Sequence, residues 1–98
     1  MKDSAEAFVK EQEGKGFARA EENDKMTGVM TYSIAVEELI IIDHTEVDPE
    51  FNGRNVGKQM LYKIVEMARE KNIKIIPLCP FAASMFKKLE DIQEVLKS

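Results

Sequence analysis

One stretch of the chain constrains its fold more than any other, and it spans residues 39–65. It begins with a leucine and isoleucine run at 39–42, continues through a polar loop with two glycines at 48–57, and ends in a segment of helical periodicity. Apolar β-branched runs are typical of strands, and polar segments with glycine are typical of turns. The order therefore predicts a strand, a turn and a helix in direct succession.

The predicted turn has the properties of an anion-binding site. Gly53 and Gly57 carry no Cβ, so the backbone there can turn tightly or approach a ligand. The first N–H groups of the following helix have no partner inside it, and the helix dipole adds positive potential at the same point. A pyrophosphate is an anion that such a turn can hold.

Two familiar phosphate-binding motifs do not fit this turn. A Walker loop requires Gly-Lys-Ser/Thr, whereas Lys58 is followed by Gln59. A dinucleotide fingerprint requires three glycines in one turn, and this turn contains two. If this turn binds a phosphate, it does so as neither a Walker loop nor a dinucleotide fingerprint.

Composition restricts the class of protein. A length of 98 residues predicts a single domain over 1–98. The formal charge of −4 argues against nucleic-acid binding, and no apolar stretch is long enough for a membrane span. With Cys79 as the one cysteine and His44 as the one histidine, we expect neither a disulfide framework nor a metal site. The N-terminal residues lack a signal-peptide pattern, so we expect a cytoplasmic protein.

The segments before residue 39 predict three strands that precede the strand at 39–47 in an antiparallel meander. We expect them near 7–12, at 17–21 and at 26–34, joined by turns rich in Gly, Asn and Asp. Alternation along the third strand predicts one shared face for Met26, Met30, Tyr32 and Ile34.

The segments after the turn predict helix, strand and helix. Asn72 is suited to end the first helix in a left-handed conformation. The strand at 73–78 follows a helical crossover, so it should run parallel to the strand at 39–47. Pro77 cannot donate to a ladder, so these two strands should separate near it. A second helix opens at Pro80, a residue suited to a first helical turn.

Two motifs of the chain resemble those of the GNAT superfamily of N-acetyltransferases. The run at 52–57, Asn-Gly-Arg-Asn-Val-Gly, resembles the family's pyrophosphate loop, Arg/Gln-x-x-Gly-x-Gly/Ala. Asn52 replaces Arg or Gln there, and Asn55 replaces the first Gly, a position where Asn tolerates a positive φ. The segment at 79–89 resembles the family's closing motif, with Cys79 in place of Asn and Phe86 in place of Tyr.

A narrower resemblance rests on the strand Asp-His-Thr-Glu-Val at 43–47 and the turn Cys-Pro-Phe at 79–81, which look like those of a minimal GNAT subfamily. It implies an α/β (α+β) fold in which a parallel fifth strand splays from the fourth and a C-terminal helix follows. It also implies acetyl-CoA as co-substrate and transfer of the acetyl group to a primary amine.

The resemblance also implies which residues bind the coenzyme. A backbone N–H at Val47 or a close neighbour would polarise the thioester carbonyl. Arg54 and Lys58 would add charge at the pyrophosphate, and Lys87 or Lys88 at the nucleotide phosphate, although such lysines are equally consistent with ordinary helix-surface residues. The expected coenzyme-binding residues are Glu46, Val47, Asn52, Gly53, Arg54, Asn55, Val56, Gly57, Lys58, Phe86 and Lys87.

His44 and Cys79 are the candidate catalytic residues. They fall at the C-terminal parts of two adjacent predicted strands, on either side of the expected separation, where both can reach a thioester. In one interpretation His44 is a general base and Cys79 is an acid or a transient acetyl carrier. In the other, Cys79 is a small buried hydrophobe and a backbone carbonyl satisfies His44.

The short connection at 12–16 leaves no room for the two helices that enclose the acceptor site of typical GNATs. We therefore expect an open cleft that admits an exposed lysine, a polyamine or a small amine. The alternative is a non-catalytic acyl-CoA-binding or interaction module that keeps the fold. For the assembly we expect a monomer or a weak dimer.

Overall fold

The computed structural model describes residues 6–22, 25–36, 38–51 and 55–97. Five strands form one sheet in the order β1-β2-β3-β4-β5, with β4 and β5 parallel and the other neighbours antiparallel. The predicted α/β fold with a four-strand antiparallel meander is therefore confirmed. The strands are Glu6–Gln12 (β1), Lys15–Glu22 (β2), Lys25–Val36 (β3), Leu39–Val47 (β4) and Lys74–Pro77 (β5), and the helices are Val56–Lys71 (α1) and Pro80–Lys88 (α2). Short 3-10 helices occupy Pro49–Phe51 and Glu90–Val95.

The connection between β1 and β2 is as short as the sequence predicts. Glu13 and Gly14 have φ values of 52° and 83°, as a type I′ hairpin turn requires at its two central residues. No helix can be accommodated between Gln12 and Lys15, which pair directly across the turn. The predicted turn at Asn23-Asp24 lies outside the described residues.

The prediction of one shared face along β3 is wrong for Met26, which is 45% exposed. The pairing of β2 with β3 passes from Gly28 to Met26 and leaves Thr27 without an opposite residue. An extra residue in one strand breaks the alternation of side chains. Met30 and Tyr32 lie beyond the irregularity and are buried as predicted.

Both helices pack against the same face of the sheet. The apolar stripe of α1 is buried as its period predicts, at Val56, Met60, Leu61, Ile64, Val65 and Ala68. Ala82 and Phe86 of α2 join the same core, and each large side chain buried there contributes roughly 1.5–3 kcal/mol. The other face carries half-buried residues such as Phe17, Val29 and Ile41, and no helix of the described chain covers it.

The C-terminal end of α1 and the segment after α2 hold each other in place. Asn72 ends α1 with φ 61° and ψ 45°, which confirms the predicted left-handed cap. Arg69 donates hydrogen bonds to the Glu94 carboxylate, and the Tyr62 hydroxyl donates to Asp91. These contacts bring Glu90–Val95 against α1, so Ile92 and Val95 complete the core.

Candidate active site

The start of α1 presents main-chain donors at the end of the predicted anion-binding turn. Asn55 adopts φ 60° and ψ 26°, so the prediction that it takes the left-handed conformation is confirmed. The first hydrogen bond of the helix runs from the N–H of Gln59 to the Asn55 carbonyl at 3.0 Å. The N–H groups of Val56, Gly57 and Lys58 come before it in the chain, so they have no acceptor inside the helix. Such first-turn donors are available to an anion. The other predicted loop residues, Asn52, Gly53 and Arg54, lie outside the described residues.

Gly57 allows the first turns of the two helices to touch. A Cβ built on Gly57 would lie 2.6 Å from Cζ and 2.9 Å from Cε2 of Phe81 in α2. Real Cβ atoms do not approach other atoms so closely, so glycine is needed here for space rather than for a positive φ. The contact packs the start of α2 beneath the start of α1.

Positive charge also lies beside the start of α1. A cavity of about 750 Å³ is lined by Asn55, Lys58, Gln59, Tyr62 and Lys63 of this region together with Ala7 and Phe8 of β1. The Nζ atom of Lys58 lies 6.0 Å from the centre of the Tyr62 ring. This distance is within the range of a cation–π contact, which orients the ammonium group along the helix surface.

A gap opens between β4 and β5 where the sequence predicts it. The paired register of the two strands ends at Ile42 and Pro77. The N–H groups of Leu78 and Cys79 both donate to the Ile42 carbonyl at 3.1 Å. Past Ile42 no described residue of β5 pairs with β4, although β4 continues to Val47.

A main-chain donor of β4 faces this gap. The Asp48 N–H donates to the Thr27 carbonyl of β3 at 2.8 Å. Successive N–H groups of a strand point to opposite edges, so the Val47 N–H points away from β3. Glu46, another predicted site residue, pairs with Val29, so its side chain points to the face without helices.

An irregularity in β4 determines where His44 points. Tyr32 pairs with Ile42 and Thr31 pairs with His44, so Asp43 is an extra residue in β4. Because of this bulge, His44 lies on the face without helices, although continued alternation from Ile42 would bury it. Its side chain is 63% exposed, and Nε2 lies 3.1 Å from a carboxylate oxygen of Glu46.

Cys79 is buried at the N-terminus of α2, with 4% of its surface exposed. Its Sγ atom lies 3.0 Å from the Thr45 hydroxyl oxygen and accepts a hydrogen bond from the Ala82 N–H at 3.4 Å. Cys79 is thus the N-cap residue of α2, with Pro80 in the first helical turn as predicted. Sequence reasoning did not single out Thr45 as a neighbour of the thiol.

The structure brings some predicted site residues together and separates others. Neighbouring residues of a strand point to opposite faces, so Thr45 contacts Cys79 on the helix side of β4 while His44 lies on the other side. The two candidate catalytic residues therefore flank the gap from different faces. Phe86 is 2% exposed in the core, whereas Lys87 next to it is exposed on α2.

The described part of the chain has neither a metal-binding cluster nor a membrane-spanning helix. No cluster of three or more His, Cys, Asp or Glu side chains suited to a metal ion occurs within it. No helix in the same residues is long and apolar enough to cross a membrane.

A family comparison agrees with the strand, turn and helix described above. Residues 16–95 match the model of the GCN5-related N-acetyl-transferases. Since this match spans most of the chain, the protein belongs to the GCN5-related N-acetyltransferase (GNAT) family, and the predicted resemblance is confirmed. No sequence among curated proteins matches significantly.

Solved structures show the same fold. A GCN5-like putative N-acetyltransferase from Staphylococcus aureus is 37% identical, with a TM-score of 0.70 over 92% of this chain and 87% of that one. Ribosomal-protein-alanine N-acetyltransferase from Brucella melitensis has a TM-score of 0.69 at 12% identity, and this chain covers 62% of its length. The PaiA N-acetyltransferase from Thermoplasma acidophilum, solved with coenzyme A, has a TM-score of 0.61 at 17% identity, with 48% of its length covered. The likeness to these last two concerns the fold alone.

Proposed function

We propose that this chain is an acetyl-CoA-dependent N-acetyltransferase that acts on a primary amine at an open cleft. The observation that carries the proposal is the pairing of two features: first-turn donors of α1 beside Asn55, and a gap between β4 and β5 past Ile42. Family membership supports acetyl-CoA as the acyl donor, because dependence on it is typical of the family. Coenzyme A has an extended thiol arm joined to a pyrophosphate. The gap would hold the thiol arm, and the first-turn donors would bind the pyrophosphate.

The binding groups follow from this geometry. The N–H groups of Val56, Gly57 and Lys58 would donate to the pyrophosphate, and Asn52, Gly53 and Arg54 would complete the loop. The Lys58 side chain would add charge there, and Lys87 would do so at the nucleotide phosphate. The Val47 N–H would donate to the thioester carbonyl in the gap and stabilise the oxyanion that develops during attack. Glu46 and Phe86 complete the proposed set, the latter by supporting α2 from within the core.

Transfer needs an acceptor amine without its proton. His44 lies exposed beside the gap and would take that proton, with Glu46 orienting its ring. The neutral amine nitrogen then bonds to the acetyl carbon and the carbon–sulfur bond breaks. The proton that the nitrogen loses as the amide forms passes to the departing thiolate, so coenzyme A leaves as the thiol.

Cys79 offers a second route. Its Sγ atom is held by the Thr45 hydroxyl and the Ala82 N–H on the helix side of the gap. In this route the sulfur of Cys79 bonds to the acetyl carbon as the thiol of coenzyme A departs with the proton of Cys79. The amine then attacks the acetylated cysteine, and the thiol is restored. Burial of Cys79 would protect such an acetyl group from water.

The experiment measures coenzyme A release from acetyl-CoA with a panel of primary amines. We expect turnover in the native protein and its loss in His44→Ala, with Lys97→Ala as an exposed control that keeps full activity. A mass increase of one acetyl group that vanishes in Cys79→Ser assigns the cysteine route, whereas turnover retained in Cys79→Ala assigns the direct one. Absence of turnover with every amine contradicts the proposal.

The second candidate is a non-catalytic acyl-CoA-binding module. It is favoured by one observation: Phe86 stands where the family's closing motif has a tyrosine, and its ring offers no proton to a leaving thiolate. Binding of acetyl-CoA that raises the melting temperature without any turnover supports this candidate instead.

A further inference from the structure

The face of the sheet without helices carries a cavity that none of the proposed coenzyme-binding residues lines. Its volume is about 620 Å³, within the range of roughly 300–1,000 Å³ that is usual for small-molecule sites. Phe17 and Thr31 line its middle, Lys10 and Lys15 lie toward β1 and β2, and Asp43 lies on β4. The cavity is therefore large enough for a small molecule, with an acidic side at Asp43 and a basic side at Lys10 and Lys15.

The acidic side of this cavity adjoins His44. Asp43 directly precedes His44, and both lie opposite Thr31 because Asp43 is the extra residue of the β4 bulge. The Ser33 hydroxyl donates to an Asp43 carboxylate oxygen at 2.7 Å, which fixes that side chain on the same face. A ligand ammonium bound at Asp43 would therefore lie one residue from the proposed general base.

The basic side consists of two exposed lysines. The Lys10 Nζ atom lies 5.7 Å from the centre of the Phe8 ring, a contact that holds the ammonium on this face. Glu11 also borders the cavity, but its carboxylate accepts from the Tyr32 hydroxyl at 2.8 Å and lies 3.5 Å from Lys71. The charge of Glu11 is thus engaged by those partners, and Lys10 and Lys15 keep a net positive charge.

We propose that this cavity binds an acceptor amine that carries an anionic group at its other end. The ammonium group lies at Asp43 and the carboxylate, or an equivalent anion, at Lys10 and Lys15. Asp43 on β4 and Lys15 on β2 are two strands apart, roughly 10 Å between backbones at the usual strand spacing. Because the lysine side chains reach toward the ligand, a short methylene chain lying over Phe17 is long enough to cover the remaining distance.

This inference deepens the proposed function and depends on it for the fate of the amine, since it narrows the acceptor to a zwitterion. A polyamine has no anion for Lys10 and Lys15, and its second ammonium group would be repelled by them. Of the acceptors considered from sequence, a small amine with a terminal acid fits this charge pattern, and a polyamine does not.

The test uses three probes of six carbons each: 6-aminohexanoate, 1,6-diaminohexane and hexanoate. Each is titrated into the ¹⁵N-labelled full chain, and amide shifts are followed by NMR. We expect 6-aminohexanoate to shift the amides of Phe17, Thr31 and Asp43 and to bind more tightly than either other probe. Loss of its charged partners in Lys10→Ala/Lys15→Ala should weaken binding about tenfold, and Asp43→Asn should do so by a similar factor.

The matched control is Lys97→Ala, which removes one exposed lysine beside β5 that does not line the cavity and should leave the affinity unchanged. The inference is overturned if 1,6-diaminohexane or hexanoate binds as tightly as 6-aminohexanoate. Shifts confined to other parts of the chain, or no shift with any probe, overturn it as well.

The two proposals fail in different ways. If 6-aminohexanoate binds at this face but no amine is ever acetylated, the cavity stands and the proposed acetyl transfer falls. If acetyl transfer is measured with other amines while 6-aminohexanoate neither binds nor reacts, the enzyme stands and the cavity assignment falls.

Discussion

The contact between Gly57 and Phe81 gives a prediction whose magnitude follows from the structure. Gly57→Ala places a methyl group 2.6 Å from Cζ, 2.9 Å from Cε2 and 3.3 Å from Cε1 of the Phe81 ring. Overpacking of this kind costs about 1–3 kcal/mol. Alanine gains at most about 1 kcal/mol over glycine inside a helix, and Gly57 lies in the first turn, where the gain is smaller. The net expectation is a loss of about 1–2 kcal/mol.

Thermal and urea unfolding measure this loss. For a domain of this size the melting temperature should fall by roughly 5–15 °C. Adding Phe81→Leu to Gly57→Ala should recover part of the stability, because leucine vacates the position of the ring edge. The coupling in the double-mutant cycle should reach about 0.5–3 kcal/mol.

Gly14→Ala is the matched control for this cycle. Gly14 has φ 83° and no atom within 4 Å of its built Cβ, so its substitution costs stability through backbone strain alone. Phe81→Leu should therefore rescue Gly57→Ala and leave the defect of Gly14→Ala unchanged. A Gly57→Ala protein as stable as the native one would refute the reasoning, since Phe81 would then not pack on Gly57.

Three further substitutions test other parts of the account. Thr45→Val should slow acetylation of Cys79 about tenfold, the size expected from one lost hydrogen bond. Thr45→Ser should keep the native rate, and a mass-spectrometric time course measures both rates. Equal rates in the two variants would contradict a positioning role for Thr45. Phe86→Ala should destabilise the fold by about 3–5 kcal/mol in urea unfolding because it empties a core position, and a loss below about 1 kcal/mol would speak against its burial. The pKa of Glu94 is lowered in the folded protein, chiefly because Glu94 accepts a hydrogen bond from Arg69. The pair therefore stabilises the fold at pH values above the ordinary pKa of a glutamate, and this stabilisation is lost as the pH falls through the lowered pKa. In Arg69→Ala the free energy of unfolding should therefore fall less steeply on acidification than in the native protein. An unchanged pH dependence would contradict this role of the Arg69–Glu94 pair.

Much of the fold could be predicted because local physics and tertiary contacts agree. The stripe of α1 is buried as its period requires, and Asn55 and Asn72 take the positive φ values that asparagine tolerates. The gap lies beside Pro77 as predicted, but the N–H groups of Lys74 and Leu78 are those that donate toward β4, so the nitrogen of Pro77 lies toward the other edge of β5 and its missing N–H does not by itself open the gap. For the two asparagines, by contrast, the residue's own chemistry limits the backbone.

The misplaced residues depend on strand irregularities that no local pattern encodes. Ile40, Ile42 and His44 alternate without interruption in the sequence, yet the bulge at Asp43 turns His44 to the opposite face. The same shift brings Thr45 to Cys79, a residue distant in the chain. Pairing between strands is set by contacts of the whole sheet, so such changes become visible only with the fold.

The most direct test of the central claim is an amide-resolved titration with coenzyme A. Saturating coenzyme A should shift the amides of Val56, Gly57 and Lys58 and slow hydrogen exchange at the Val47 amide, which faces the gap. Shifts confined to other surfaces, or exchange at Val47 that coenzyme A leaves unchanged, would contradict it.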